Sequence, residues 1–266
     1  QAVGEAFNDG RFLVAEAGTG VGKSFAYLLP ALQWALRNPG AGGRVVLSTR
    51  TKTLQDQLFD VDIPRLRRAL GADWDAVLLK GRQNYLCLRR LDGLFHQGAS
   101  AQDQAALMPL VSWLGLTRTG DLDEAHGVWR RDLRRRVFDD PEYCVGRRCQ
   151  FYEQCYSVNA RNAARGAQLV VVNHALLLAD LALDGAILGD YRHLILDEAH
   201  HLEEAARQAL QQRLGAPQFL ALFDELLRAG EAGRDFGLLP ALGKRLPQDD
   251  DATAEAVALA GEPCAG

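Results

Sequence analysis

Between Arg11 and Ser24 the chain reads RFLVAEAGTGVGKS, and this stretch decides the fold. Arg11 to Ala15 (RFLVA) is short and apolar, and is expected to form a strand. Ala17 to Ser24 (AGTGVGKS) is rich in glycine. Ser24 to Arg37 then places Phe25, Leu28, Leu29, Leu32 and Leu36 at helical spacing, with Pro30 predicting a kink or a short first helix. A strand, a glycine-rich loop and a helix in that order suit phosphate binding. Glycines let backbone N–H groups converge on phosphate oxygens, and the helix start adds unpaired donors and a positive dipole end. Gly18, Thr19, Gly20, Val21, Gly22, Lys23 and Ser24 are therefore the expected cradle for ATP. Lys23 is the expected catalytic cation at the β- and γ-phosphates, and the Ser24 hydroxyl an expected Mg²⁺ ligand. Ala17 stands where the general pattern has its first glycine.

Working outward, the same rhythm recurs. Arg44 to Ser48 (RVVLS) reads as a strand, Thr53 to Leu70 as a helix, and Ala76 to Lys80 as a third strand. The alternation stops at Gly81 and resumes with strands at Gln168–Val172 and Arg192–Leu196, both continuously apolar as buried parallel strands are. The expected architecture is α/β, a P-loop parallel sheet flanked by helices and interrupted by an inserted domain. From Ala205 the chain is helical in composition, and beyond Leu246 it turns acidic and small.

Asp197-Glu198-Ala199-His200 follows directly on the last strand. Carboxylates at a strand end beside a phosphate loop serve an ATPase as metal holder and water activator. Asp197 is expected to hold Mg²⁺, Glu198 to deprotonate the attacking water, and His200 to link the nucleotide and nucleic-acid sites.

Cys144, Cys149 and Cys155 are separated by four and five residues, Cys87 lies far upstream, and Cys264 has no partner motif. The spacing differs from the close pairs of a zinc ribbon and suits a cuboidal iron–sulfur cluster, although zinc also remains compatible with it. An odd count of five cysteines argues against a disulfide framework. Net charge is −4, but Arg130, Arg131, Arg134, Arg135 and Arg136 form a basic run, and Arg65, Arg67 and Arg68 a second. No apolar run approaches a membrane span, since Leu169–Val172 is separated from Ala175–Ala179 by Asn173 and His174. No signal peptide is evident, and the expected location is cytoplasmic.

These motifs together resemble the XPD/DinG-like branch of superfamily 2 helicases. The likeness rests on the loop EAGTGVGKS, the DEAH box, STRTKTLQDQL from Ser48 to Leu58, KGRQNYLC from Lys80 to Cys87, and VVVNHALLL from Val170 to Leu178. It implies a RecA-like motor domain in two parts, residues 1–80 and 166–215. Residues 81–165 would be a mainly helical iron–sulfur cluster domain, and 216–266 the start of a helical arch domain. Cys87, Cys144, Cys149 and Cys155 would bind a [4Fe–4S] cluster. Thr49, Arg50, Thr51, Arg82 and Tyr85 would contact DNA, with single-stranded DNA and forked or 5′-tailed duplex as substrates. Unwinding would run 5′-to-3′, in DNA repair or replication-fork rescue beside replication or repair proteins, near a bacterial nucleoid and away from membranes. The second motor domain with its arginine motif is not seen, so the chain is expected to be a fragment with weak hydrolysis of its own. Two other classes fit part of the pattern: a P-loop phosphotransferase of another kind, and a zinc-dependent nucleic-acid-binding module.

Overall fold

The computed structural model describes residues 1–18, 21–40, 43–71, 74–96, 101–125, 131–210, 237, 238 and 240. The expected arch segment, Cys264, Thr19, Gly20 and Arg130 lie outside them, apart from isolated positions of the arch segment. The chain divides into two compact units. The first holds Gln1–Leu86, Arg118–Leu122 and residues from Phe138 onward, and the second, among described residues, Cys87–Thr117 and Asp123–Val137.

The first unit is built on four parallel strands in the order β2-β3-β1-β4. They are β1 (Val45–Thr49), β2 (Ala76–Leu78), β3 (Leu169–Asn173) and β4 (His193–Leu196). Successive strand residues point to opposite faces, and each face has its own core. Val45, Leu47, Leu169 and Val171 pack with Phe7 of α1 (Ala2–Asp9) and with Leu28 and Leu32 of α2 (Lys23–Arg37). Leu58, Ile63 and Leu66 complete that side from the helical stretch Lys52–Leu70. Val46, Val170 and Val172 pack on the opposite face with Ala164, Leu176 and Leu177. This architecture is α/β, as the sequence rhythm predicts.

The stretch Lys52–Leu70 is α3 (Lys52–Asp56), a π-helical segment Gln57–Asp62 and α4 (Ile63–Leu70). Pro64 lies at the first turn of α4, where its missing N–H coincides with the wider π-type bonding before it. Helix α2 runs through Pro30, so the short first helix is not found; Leu28, Ala31, Leu32 and Ala35 anchor it to the core on both sides of the proline. The buried face is thus rotated from the one expected, and Phe25, Leu29 and Leu36 face outward.

The strand expected at Arg11–Ala15 is also not formed. Phe12 is 105% and Val14 98% exposed, and β4 is an edge strand with no outer neighbour among the described residues. An apolar run becomes a strand only where a neighbour completes its ladder of hydrogen bonds and covers its side chains.

The second unit contains α5 (Leu88–His96), α6 (Ala101–Leu114) and α7 (Arg131–Val137). Arg90 donates to the carbonyls of Arg135 and Arg136 at the C-terminal end of α7, where a cation is favoured. Arg134 pairs with Asp123 at 2.8 Å. Among the described residues no helix is long and apolar enough to cross a membrane.

The remaining elements, α8 (Tyr156–Gly166), α9 (His174–Ala182) and α10 (Leu202–Leu210), belong to the first unit. Phe138–Arg165, with three of the cysteines, clusters with the first unit.

Candidate active site

Parallel strands end together, so the loops leaving their C-terminal ends converge. Here those ends carry Thr49-Arg50-Thr51 after β1, Asn173-His174 at β3, and Asp197-Glu198 after β4. The phosphate loop enters the same region. Gly22 takes φ 86, a left-handed conformation suited to glycine, and leads directly into α2. Lys23 then extends its ammonium to Glu198, with Nζ to Oε1 at 2.9 Å. This hydrogen bond raises the Lys23 pKa and is also the main cause that holds Glu198 low. Glu198 is one of two non-glycine residues with positive φ, at 54°, among the described residues. Such backbone strain is tolerated where surrounding contacts fix it.

Asp197 is held from two directions. Its N–H donates to the Ser48 carbonyl at 2.9 Å, and its Oδ2 accepts from the Tyr27 hydroxyl at 3.2 Å. Ser24 lies three residues before Tyr27 on α2, and so on the same helix face. Burial, then Asp197, push the Tyr27 pKa well above the usual tyrosine range.

Ser48 also binds His174, Oγ to Nδ1 at 2.7 Å, and both side chains are buried. Burial lowers the His174 pKa, opposed by the backbone of Glu198 and Asp197. The acidic turn thus rests on a histidine that joins β1 to the start of α9.

Beyond that turn His200 Nδ1 lies 3.6 Å from Glu198, and its ring meets that of His201 at 3.9 Å. His201 reaches Arg50 at 2.8 Å, and Arg50 also pairs with Glu204 at 3.2 Å. Arg50, Thr51, Asn173, His174, His201 and Glu204 line a cavity of about 300 Å³. A continuous polar path therefore joins Lys23 to this cavity.

Of the residues expected to contact DNA, Arg50 and Thr51 are exposed, and the Thr51 hydroxyl caps α3 by accepting from Leu54 N–H. The other three are placed differently. Thr49 is wholly buried. Tyr85 is 4% exposed, and its hydroxyl accepts from Lys80 N–H at 3.1 Å, so its ring has no open face for a base. Arg82 is bound to Asp139 through two hydrogen bonds, Nε–Oδ2 at 2.9 Å and Nη2–Oδ1 at 2.8 Å. Arg82 and Tyr85 were expected at DNA from the family likeness; Arg82 pairs with Asp139, 57 residues on, as Lys80 does with Asp121, 41 residues on.

Cys144, Cys149 and Cys155 follow three short 3₁₀ turns, Pro141–Tyr143, Gly146–Arg148 and Tyr152–Gln154, each ending at a cysteine. Cys144, Cys149 and Cys155 are free thiols, and Cys87 belongs to the other unit. Gly146 N–H donates to Cys144 Sγ at 3.4 Å, and the Arg82 guanidinium is near enough to Cys144 to interact with it electrostatically. Arg161 faces Cys155 and Asp139. Among the described residues no three His, Cys, Asp or Glu side chains are grouped to hold a metal ion. The donor chemistry suits a thiolate-bound cluster nonetheless, since N–H and guanidinium donors stabilise sulfur charge.

Tyr27, Ser48, His174, His201 and Arg161 were not singled out by sequence. Only Tyr27 left a local signal, lying three residues after Ser24 and so on the same helix face.

Residues 1–94 match the DEAD/DEAH box helicase family. The chain is 39% identical over 232 residues to the ATP-dependent DNA helicase YoaA of Haemophilus influenzae, covering 85% of this chain and 35% of that protein. It is 38% identical over 233 residues to YoaA of Escherichia coli, with the same 85% and 35% coverage. Against the ATP-dependent helicase DinG of Mycobacterium tuberculosis it is 39% identical over 228 residues, covering 76% of this chain and 33% of that protein. The chain thus spans about a third of the length of the curated relatives it matches.

Proposed function

We propose that this chain, whose residues 1–94 match the DEAD/DEAH box helicase family, is the ATP-binding motor part of a DNA helicase that couples hydrolysis to movement along single-stranded DNA. The observation that carries this reading is the meeting of Lys23 with Glu198 and of Tyr27 with Asp197, across some 170 residues of chain. Phosphate oxygens entering the loop would take Lys23 from Glu198. Glu198, freed and held low in pKa, is then a carboxylate able to accept a proton from the attacking water. Ser24 and Asp197 are the residues to hold Mg²⁺, which when bound neutralises charge on the phosphate oxygens.

On the DNA side, Arg50 and Thr51 stand at the cavity and would take backbone phosphates, a contact that carries no sequence preference. Displacing Glu204 from Arg50 would be felt at His201, His200 and then Glu198. This path is the proposed route by which DNA stimulates hydrolysis, with His200 in the linking role.

We further propose that Cys144, Cys149 and Cys155 with Cys87 hold a [4Fe–4S] cluster, and the thiol donor set with the N–H···S contact at Cys144 supports it. The inserted cluster domain, an arch beginning near residue 216, 5′-to-3′ polarity, forked substrates and a repair role stand with it as proposals from the family likeness.

Two experiments test this reading. Hydrolysis of ATP by the whole protein should rise with single-stranded DNA and be lost in Glu198→Gln while nucleotide binding persists; DNA-independent turnover would sink the coupling. Metal analysis after anaerobic purification should find about four irons and four sulfides per chain. One zinc without sulfide would retain the motor and exclude the cluster.

A further inference from the structure

One side chain holds a residue assigned to the cation. Tyr27 lies three residues beyond Ser24 on α2, which puts both on one face of the helix. Its ring packs against the core cluster beneath the sheet, so its oxygen is delivered to a fixed point. There the phenol donates to Asp197 Oδ2 at 3.2 Å.

The direction of this bond matches what a hard cation requires. A carboxylate that engages the cation or its waters through one oxygen leaves the other for a donor, and the Tyr27 hydroxyl supplies it.

We propose that Tyr27 is a positioning residue for the divalent cation, holding the Asp197 carboxylate in the orientation that leaves its other oxygen for Mg²⁺. It rests on the nucleotide-site reading above. Residues that orient ligands in this way commonly change metal affinity by about 10- to 100-fold when altered. Tyr27→Phe removes only the hydroxyl and keeps the ring in the core.

The test uses the 266-residue chain and a fluorescent ADP analogue. Its affinity is measured first with EDTA, then as Mg²⁺ is titrated in. In Tyr27→Phe the EDTA affinity should stay within about twofold of wild type, while the Mg²⁺ concentration for half-maximal effect rises about tenfold. Adding Tyr27→Phe to Asp197→Asn should raise it no further, because the two act as a unit. An unchanged Mg²⁺ midpoint overturns the proposal. A parallel loss of affinity with and without Mg²⁺ also overturns it, since that is the mark of a packing role. Wild-type chain that is folded yet binds no nucleotide overturns the phosphate-loop reading and the Tyr27 assignment with it.

Discussion

Replacing Arg82 with Met removes one charge from a pair that ties the end of β2 to the segment entering the cysteine turns. Arg82 gives Asp139 two hydrogen bonds at 2.8 and 2.9 Å, and the Asp139 side chain is 3% exposed. Met keeps most of the arginine's apolar stem, so the loss is chiefly electrostatic. Removing one partner of a buried pair costs about 3–5 kcal/mol, because the remaining charge is left unpaired in a poor solvent. Two features place this case at the lower end. Arg82 itself is 24% exposed, and the Ser157 hydroxyl still donates to Asp139. A loss of about 3 kcal/mol corresponds to a fall in melting temperature of about 6–12 °C for a unit of this size. Circular dichroism melts and urea titration at neutral pH measure it. Arg82→Met with Asp139→Asn should recover part of the loss, since neither charge is then buried alone. A loss below about 1 kcal/mol, or a double variant as unstable as the sum of the singles, would refute the reasoning.

Three other outcomes follow. Lys23→Ala should abolish nucleotide binding measured by fluorescence, whereas Glu198→Gln should retain binding; equal loss in both would show that the two residues do not divide binding from chemistry. Cys149→Ser should lower bound iron and weaken binding of single-stranded DNA while leaving nucleotide affinity unchanged; normal DNA affinity in the iron-free variant would show that the cluster does not support the DNA site. His174 and His193 are held below the ordinary histidine value, in both cases first by burial. The unfolded chain therefore binds more protons below about pH 6.5, and stability should fall as pH drops from about 7.5 to about 5.5. His193 stacks on Phe7 at 4.3 Å and meets Trp34 at 4.5 Å, so His193→Phe should flatten that slope; an unaltered slope would assign it elsewhere.

Much of the fold was legible because parallel strands buried on both faces are continuous apolar runs. RVVLS, the run at Ala76, QLVVV and RHLIL each became a strand near its expected bounds. RFLVA has the same composition and is not a strand, since composition records the tendency to be covered and not the neighbour that covers it. The nucleotide residues were legible as motifs because their chemistry fixes their local spacing. Their supports were not: Ser48 and His174 are common polar residues whose roles arise from contacts made across the sheet. The pairing of Arg82 with Asp139 was hidden likewise, its partner being distant in sequence.

The central claim is that the loop at Gly18–Ser24 and the acids at Asp197 and Glu198 form one nucleotide site. Equilibrium binding of an ATP analogue to the chain, with Mg²⁺ and with Lys23→Ala as control, tests it most directly. One nucleotide per wild-type chain, lost in Lys23→Ala and weakened by withdrawing Mg²⁺, is the predicted result. Folded chain that binds none, or that binds equally well without Lys23, would contradict it.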